Sequence, residues 1–562
     1  MKITIGDYLI KRLKEIGIRH IIGVPGDFNL QFLEQVGAAD GIEFVGASNE
    51  LNAAYAADGY ARENGIAALS ITYGVGDLGA IGGVAGSAAE HVPVIVLSGA
   101  PPLYIMKHNY PVHHSLGEGD FSDMARAYQQ FTVGQGLITH ENAADEIDRL
   151  LRLALRHQMP VNLQIPSNLT YLYIDVSDEP LRPVSHQSDQ ERLRAAVSAM
   201  RQLFSAAKQP AVLIDMDVDR FGIESELLAF IEATRTPFAA LSTGKAILDE
   251  NHPLYRGIYQ GDDSEPGAQA LIEQADFLLT VAPRFIEWNS GSFSAELPEA
   301  TTIYLGRNHV KIGTEAFEAV ALKDVLDQFL DRLPSKHQPQ TEPEPAEPGF
   351  DLEADKPLAH DKLWKQLRPF FRAGDLIYAE TGTASQAMGS LKLPKDTTYI
   401  ASLIWGAIGF TLPALFGSLL ANPQRRQILF IGDGSFQVSA QALSRIIDRG
   451  LNPIIFVINN DGYTIERYIM GMEESYNDIP AWQYHRLPAL LSAKNRMLTF
   501  HVTTQGELAQ ALKDIEEIDH GALIELHLHP LDAPEALKKF GPDVAAFNYG
   551  PRGPENELPE DE

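Results

Sequence analysis

The chain has 562 residues, 45% of them hydrophobic, with 45 Lys plus Arg against 75 Asp plus Glu and no Cys. At roughly 150 residues per domain, this length excludes a single small binding module and allows about three to four domains. A net charge of −30 repels nucleic acid and anionic membrane, and the lack of Cys excludes disulfides, thiolate nucleophiles, Cys-ligated zinc and iron–sulfur clusters.

The N-terminal stretch MKITIGDYLIKRLKEIGI alternates charged and apolar residues and lacks the basic end and apolar block of a signal peptide. No apolar run approaches the roughly 20 residues of a membrane span, so the expectation is a soluble, cytoplasmic protein. The spacing predicts a helix over 4–16, strands over 20–24 and 42–45, a helix over 51–62, strands over 67–73 and 93–97, and a helix over 141–156. A second set of strands is predicted over 211–214, 238–241, 277–281 and 302–305, and a third over 376–379, 399–403, 428–431, 454–458 and 522–528. Continuous Val/Ile/Leu runs alternating with helical patterns are the mark of parallel sheets covered by crossover helices. The predicted class is therefore α/β, with three doubly wound parallel-sheet domains.

The second and third sets are separated by a Pro- and Glu-rich stretch, 334–357, that cannot build a core and reads as a linker. The expected division is 1–185, 186–340, a linker at 341–357, 358–545, and an acidic tail at 546–562. No internal repeat of solenoid period is present.

The strongest local signal is Gly432-Asp433-Gly434-Ser435 at the end of one predicted strand, with Asn459-Asn460-Asp461-Gly462 at the end of the next. Residues 435–458 between them hold one crossover helix, predicted over 438–448, so both motifs emerge at the carboxyl edge where open α/β sheets bind ligands. Asp433 offers a carboxylate, Asn460 an amide oxygen and the turn at Gly462 a carbonyl, a hard oxygen-only set suited to Mg²⁺. The glycines admit a diphosphate close to the backbone, facing a helix N-terminus. Either motif alone is ordinary turn chemistry; their spacing at consecutive strand ends favours the functional reading.

This spacing resembles the diphosphate signature of thiamine diphosphate enzymes. GVPGDFNLQFLEQV, SNELNAAYAADGYAR, HVPVIVLSGAP and VHHSLGEGDF, then AETGT, IWGAIGFTLPALFGS, GDGSFQVSAQ, INNDGYTIER and SYNDIPAWQY, resemble in the same order the pyruvate, indolepyruvate and branched-chain 2-oxo acid decarboxylases. The likeness spans nearly the whole chain and is weaker in the middle. It implies pyrimidine-binding, middle and diphosphate-binding domains, and non-oxidative decarboxylation of a 2-oxo acid to an aldehyde and CO₂ through a cofactor-bound carbanion/enamine. The implied cofactors are thiamine diphosphate and Mg²⁺. The implied assembly is at least a homodimer, with a homotetramer expected, whose sites lie between the first domain of one subunit and the third of its partner.

The resemblance also assigns residues. Glu50 matches the carboxylate that hydrogen-bonds the pyrimidine, although by itself it reads as an acid favoured in the first turn of a helix. Ile408 matches the apolar residue that bends the cofactor, and Gly406 a carbonyl facing the pyrimidine amine. Thr383, Gly434, Ser435, Asn460, Tyr463 and Thr464 match the rest of the cofactor cradle, and Asp433, Asn460 and Gly462 the metal ligands. Asp27, His113, His114 and Glu466 match the proton-handling set, with Glu466 expected to have a raised pKa. Ser385 and Gln386 stand where pyruvate-restricted relatives carry aromatic rings, which implies a pocket larger than pyruvate needs. Ile465, Ile469, Phe540 and Trp288 match its other walls, and for Trp288 a structural role fits equally well. Asp77, Gly79, Gly82 and Ala88 stand where relatives more often have Glu, Ser, Asn and Tyr.

Two rivals share some of these features. Gly74-Val75-Gly76-Asp77-Leu78-Gly79 is a GxGxxG of dinucleotide-binding form, but the next predicted strand ends without the acid that would hold a ribose. A carboligase of the acetolactate synthase or benzaldehyde lyase kind would share Glu50 and the metal motif, but not usually the adjacent His113 and His114.

Overall fold

The computed structural model describes residues 1–182, 187–332, 350–517 and 520–550. In the first part of the chain, six parallel strands lie side by side in the order Glu43–Gly46, His20–Gly23, Ala67–Thr72, Val94–Ala100, Val161–Pro166 and Gln135–Leu137. In the last part the order is Thr398–Ile400, Leu376–Ala379, Gln427–Gly432, Ile454–Asn459, Ala522–His527 and Leu498–Val502, again all parallel. Counted along the chain, both sheets therefore run second, first, third, fourth, sixth, fifth. The crossover direction reverses between the first and third strands, and ligands bind in the crevice at such a reversal. That rule singles out the residues after Gly23 and Thr72 in one sheet and after Ala379 and Gly432 in the other.

The middle sheet follows the order Tyr255–Ile258, Phe238–Ala240, Pro210–Ile214, Phe277–Val281, Thr302–Gly306, His309–Ile312 and Glu315–Glu318. Its first five strands are parallel, and it ends in an antiparallel hairpin that the sequence pattern does not announce. At its own reversal, between Pro210–Ile214 and Phe277–Val281, the buried Asp215 carboxylate accepts the backbone N–H of Met216 at 2.7 Å and of Arg284 at 2.8 Å.

Several elements depart from expectation. Val161–Pro166 was not singled out because Asn162 and Gln164 interrupt its apolar run, yet both are buried, and Asn162 Nδ2 donates to Ser98 Oγ at 2.9 Å. The strand predicted over 399–403 occupies Thr398–Ile400, and the helix predicted over 438–448 is two helices, Asp433–Ser439 and Ala442–Asp448. Of the predicted linker, 341–349 lies outside the described residues. Residues 350–357 are anchored, since Ala354 and Lys356 carbonyls accept the N–H groups of Gly506 and Gln505 at 3.0 Å each. Of the predicted tail, 551–562 lies outside the described residues, and 546–549 are the last turn of helix Glu535–Tyr549. Among the described residues no helix is long and apolar enough to cross a membrane.

The first and third sheets are joined through two helices. Helix Glu50–Asn64, capped by Asn49, whose side chain accepts from Asn52 N, lies against helix Thr411–Ala421 almost backbone to backbone. A Cβ on Gly59 would lie 2.0 Å from the Ala414 carbonyl oxygen, and one on Gly417 1.7 Å from that of Ala56. Only glycine fits at these crossings.

Candidate active site

Strand Gln427–Gly432 ends at the reversal, and helix Asp433–Ser439 begins there at once. Asp433 is 1% exposed; its Oδ1 accepts from Gly434 N at 2.7 Å, and its Oδ2 from Asn460 N at 3.0 Å and Gly462 N at 3.2 Å. These bonds favour the carboxylate, but burial outweighs them and pushes its pKa up to about 7. The Asn460 side-chain oxygen lies 3.2 Å from Asp433 Oδ1 and 3.1 Å from the Gly462 carbonyl. Its Nδ2 donates to Thr464 Oγ1 at 2.8 Å, and that hydroxyl donates to Pro530 O at 2.9 Å. Turning the amide over would give both inner oxygens a donor but would call on the one Thr464 proton twice. As oriented, three oxygens converge with no hydrogen between them, an arrangement that a cation satisfies. The donor set thus fits a hard divalent metal.

A cavity of about 230 Å³ opens beside this cluster, lined by the predicted Thr383, Ile408, Gly434, Ser435, Tyr463, Thr464, Ile465 and Glu466, together with Asp433, Asn460 and Gly462. Gly434 admits the ring of Tyr463, whose Cε1 lies 2.4 Å from where a Cβ would stand. Gly406, with φ 65°, lies two residues before Ile408 and does not line the cavity. Burial raises the Glu466 carboxyl, the direction expected for it. The cavity also exposes an acid to which the sequence assigned no role. Glu380, 1% exposed, accepts from Thr411 Oγ1 at 2.7 Å and from Thr381 N at 3.1 Å, and burial pushes its pKa up to about 7. Its place directly after strand Leu376–Ala379, at the reversal, is the signal that could have found it.

At the matching reversal of the first sheet, Asp27 Oδ2 lies 2.8 Å from His113 Nε2, and Oδ1 lies 3.7 Å from His114 Nε2. Phe28 stacks on His113 at 5.2 Å and meets His114 edge-on at 6.2 Å. Gly74, with φ 67°, is packed so closely on the His114 carbonyl that a Cβ would come within 1.7 Å of it. Asp77, expected only as a departure, holds that turn: fully buried, it accepts from Gly74 N at 2.8 Å and from Ser98 Oγ at 2.6 Å. Glu50 opens its helix beside Gly79, where a Cβ would lie 3.3 Å from Glu50 Oε2, so glycine there leaves room next to the carboxylate. At Gly82 a Cβ would meet only Leu51 Cδ1, at 3.8 Å, and nothing in the structure explains Ala88.

A second cavity, of about 160 Å³, is lined by Ser385, Gln386, Trp288 and Phe540. Trp288 meets Phe540 edge-on at 5.4 Å, and both share an apolar cluster with Ile465 and Ile469. Of the six expected pocket residues, Ile465 lines the first cavity instead and Ile469 lines neither, touching the others only through that cluster. None of Asp27, Glu50, His113 or His114 lines the cavity beside Asp433.

Three family models match the chain: the N-terminal thiamine pyrophosphate binding domain of thiamine pyrophosphate enzymes over residues 3–124, their central domain over 197–333, and their C-terminal thiamine pyrophosphate binding domain over 380–526. Pyruvate decarboxylase isozyme 2 of Saccharomyces cerevisiae is 36% identical over 563 residues, covering 97% of this chain and 99% of the yeast protein. The chain belongs to the thiamine diphosphate-dependent 2-oxo acid decarboxylases. Within this decarboxylase family, an alpha-keto-acid decarboxylase of Mycobacterium leprae is 37% identical, covering 95% of the chain and 94% of the relative. The fold of the thiamine diphosphate-dependent 4-hydroxybenzoylformate decarboxylase of Rhodococcus jostii RHA1 superposes with a TM-score of 0.76 at 20% identity, over 94% of this chain and 99% of that one.

Proposed function

We propose that the chain, a decarboxylase that converts a 2-oxo acid to an aldehyde and CO₂, acts on acids bulkier than pyruvate and assembles each active site from two subunits. Bound thiamine diphosphate would supply the electron sink into which the bond to the departing carboxylate breaks. Asp433, Asn460 and the Gly462 carbonyl would hold Mg²⁺; Thr383, Gly434, Ser435, Tyr463 and Thr464 would hold the diphosphate end, and Gly406, Ile408 and Glu50 the rest. Glu466, made harder to ionise by burial, can face a substrate carboxylate without full repulsion and deliver a proton. Asp27, paired with both imidazoles, would move the proton that frees the aldehyde, with His113 orienting the set. Ser385 and Gln386 leave the second cavity open for a large side chain.

We place domain boundaries near 185 and 345, both outside the described residues, with cofactor contacts on the two sheets of like topology. We place the enzyme in the cytoplasm, as a homotetramer built from such dimers. The observation that carries the reading is that Asp27, Glu50, His113 and His114 stand apart, within one chain, from the cavity that Glu466 shares with the cation cradle. Mixing refolded Glu50→Gln and Asp433→Ala subunits tests it. Each variant alone should be nearly inactive, and the mixture should regain roughly a quarter of wild-type turnover through hybrid dimers with one intact site. No recovery would mean that both residues serve one site from one chain.

A further inference from the structure

We propose that Asp27, His113 and His114 also form an inhibitory Zn²⁺ site, separate from the oxygen cradle that suits Mg²⁺. One ligand atom from each residue lies within 4.8 Å of the other two. The 2.8 Å and 3.7 Å separations from Asp27 to the imidazoles straddle the ~3.3 Å expected between neighbouring ligands of a tetrahedral zinc ion with bonds of about 2.0–2.1 Å. Zinc therefore needs only side-chain adjustments here. Two imidazoles and one carboxylate are three protein ligands, which leaves a fourth position for water.

The backbone explains why consecutive histidines converge. In extended chain, adjacent side chains point to opposite faces, but His114 has φ 62° and its carbonyl is braced by Gly74. The ring centroids of His113 and His114 consequently lie only 4.4 Å apart, with Phe28 fixing both. The side chains of His113, Asp27 and His114 are 60%, 47% and 30% exposed, so an ion can reach them from solvent. Ligand softness separates the two metals, since imidazole nitrogen suits zinc and carboxylate, carbonyl and amide oxygens suit magnesium. Zinc bound at this site would tie up Asp27 and both imidazoles, removing their proton traffic while leaving the cradle at Asp433 untouched. Zinc binding itself stands apart from the decarboxylase reading; only its inhibitory effect rests on it.

The test is equilibrium dialysis of enzyme loaded with Mg²⁺ and thiamine diphosphate against ZnCl₂ in excess MgCl₂, with bound zinc counted by atomic emission. One zinc per chain is expected. Affinity should fall in His113→Ala and in His114→Ala by at least the roughly 10–100-fold that loss of a supporting partner costs a metal site. Decarboxylation of the wild type should decline in step with occupancy and return after EDTA followed by Mg²⁺. His113 is exposed and His114 half-buried with its backbone fixed by Gly74, so the side-chain truncations should fold, and circular dichroism checks this. Equal zinc binding in the His113→Ala/His114→Ala double variant, or zinc lost instead in Asp433→Ala, would overturn the site. Full occupancy with undiminished turnover would overturn the inhibition. A zinc-free enzyme without decarboxylase activity would sink the functional reading and leave the zinc count standing.

Discussion

Single residues in the two cavities have separable tasks. Ser385 is small and buried, its hydroxyl turned back on the Gly382 carbonyl at 3.2 Å, so it spends little of the space beside Gln386, Trp288 and Phe540. Ser385→Trp should fill that space. It should lower kcat/KM for phenylpyruvate by about 10–100-fold more than for pyruvate, in line with the ~1–3 kcal/mol that a misfitting group costs an apolar pocket. An equal loss on both substrates would show that Ser385 does not line the substrate pocket.

Glu380 carries a different signature. Its folded-state pKa, raised to about 7 by burial, lies above the ~4.3 of an unfolded glutamate. Below both values the proton is bound in either state and the group contributes no pH dependence. As pH rises from about 4.3 to about 7, the unfolded chain releases the proton first and stability falls. Glu380→Gln cannot ionise, so between pH 5 and pH 8 it should lose less stability than wild type does, by on the order of 2–4 kcal/mol in chemical denaturation. Parallel stability profiles would refute the shift.

At the scale of elements, the crossing of Glu50–Asn64 with Thr411–Ala421 ties the cofactor sheets together. Gly417→Ala would drive a methyl into the Ala56 carbonyl oxygen, 1.7 Å away, an approach that backbone on backbone cannot relieve. The cost should exceed the ~1–3 kcal/mol of ordinary overpacking. A marked drop in melting temperature and early exposure of apolar surface are the measurable results, and a variant as stable as wild type would mean that the helices can slide apart freely. The shared strand order of the first and third sheets has a consequence at the same scale. Each sheet offers one crevice at its reversal, and the chain fills one with Asp27 and the His113 loop and the other with Asp433 and Glu380. At the reversal of the middle sheet Asp215 instead accepts backbone N–H groups of Met216 and Arg284.

At the scale of the whole molecule, the −30 charge opposes binding of an anionic acid and a diphosphate less than it first suggests. Surface acids farther than a Debye length of about 8 Å are largely screened at physiological salt. The local field at Asp433 is set instead by the converging N–H groups of Gly434, Asn460 and Gly462. Random reassociation of two variant chains yields half hybrids, each with one of two sites intact, which is why the mixed-subunit assay should return roughly a quarter of full activity.

The class of fold, the spacing of Asp433 and Asn460 at consecutive strand ends, and the family were legible in the sequence by itself. All three rest on local signals: buried parallel strands write continuous apolar runs, and a metal cradle needs its oxygens at fixed distances from strand ends. The tertiary structure alone decided the matched strand order, the buried Glu380 beside the cavity and the meeting of Trp288 with Phe540. It also left Glu50 outside the cavity beside Asp433. These depend on contacts between residues far apart in sequence, whose cost in chain entropy is repaid only when whole sheets pack, so no short window of sequence can carry them.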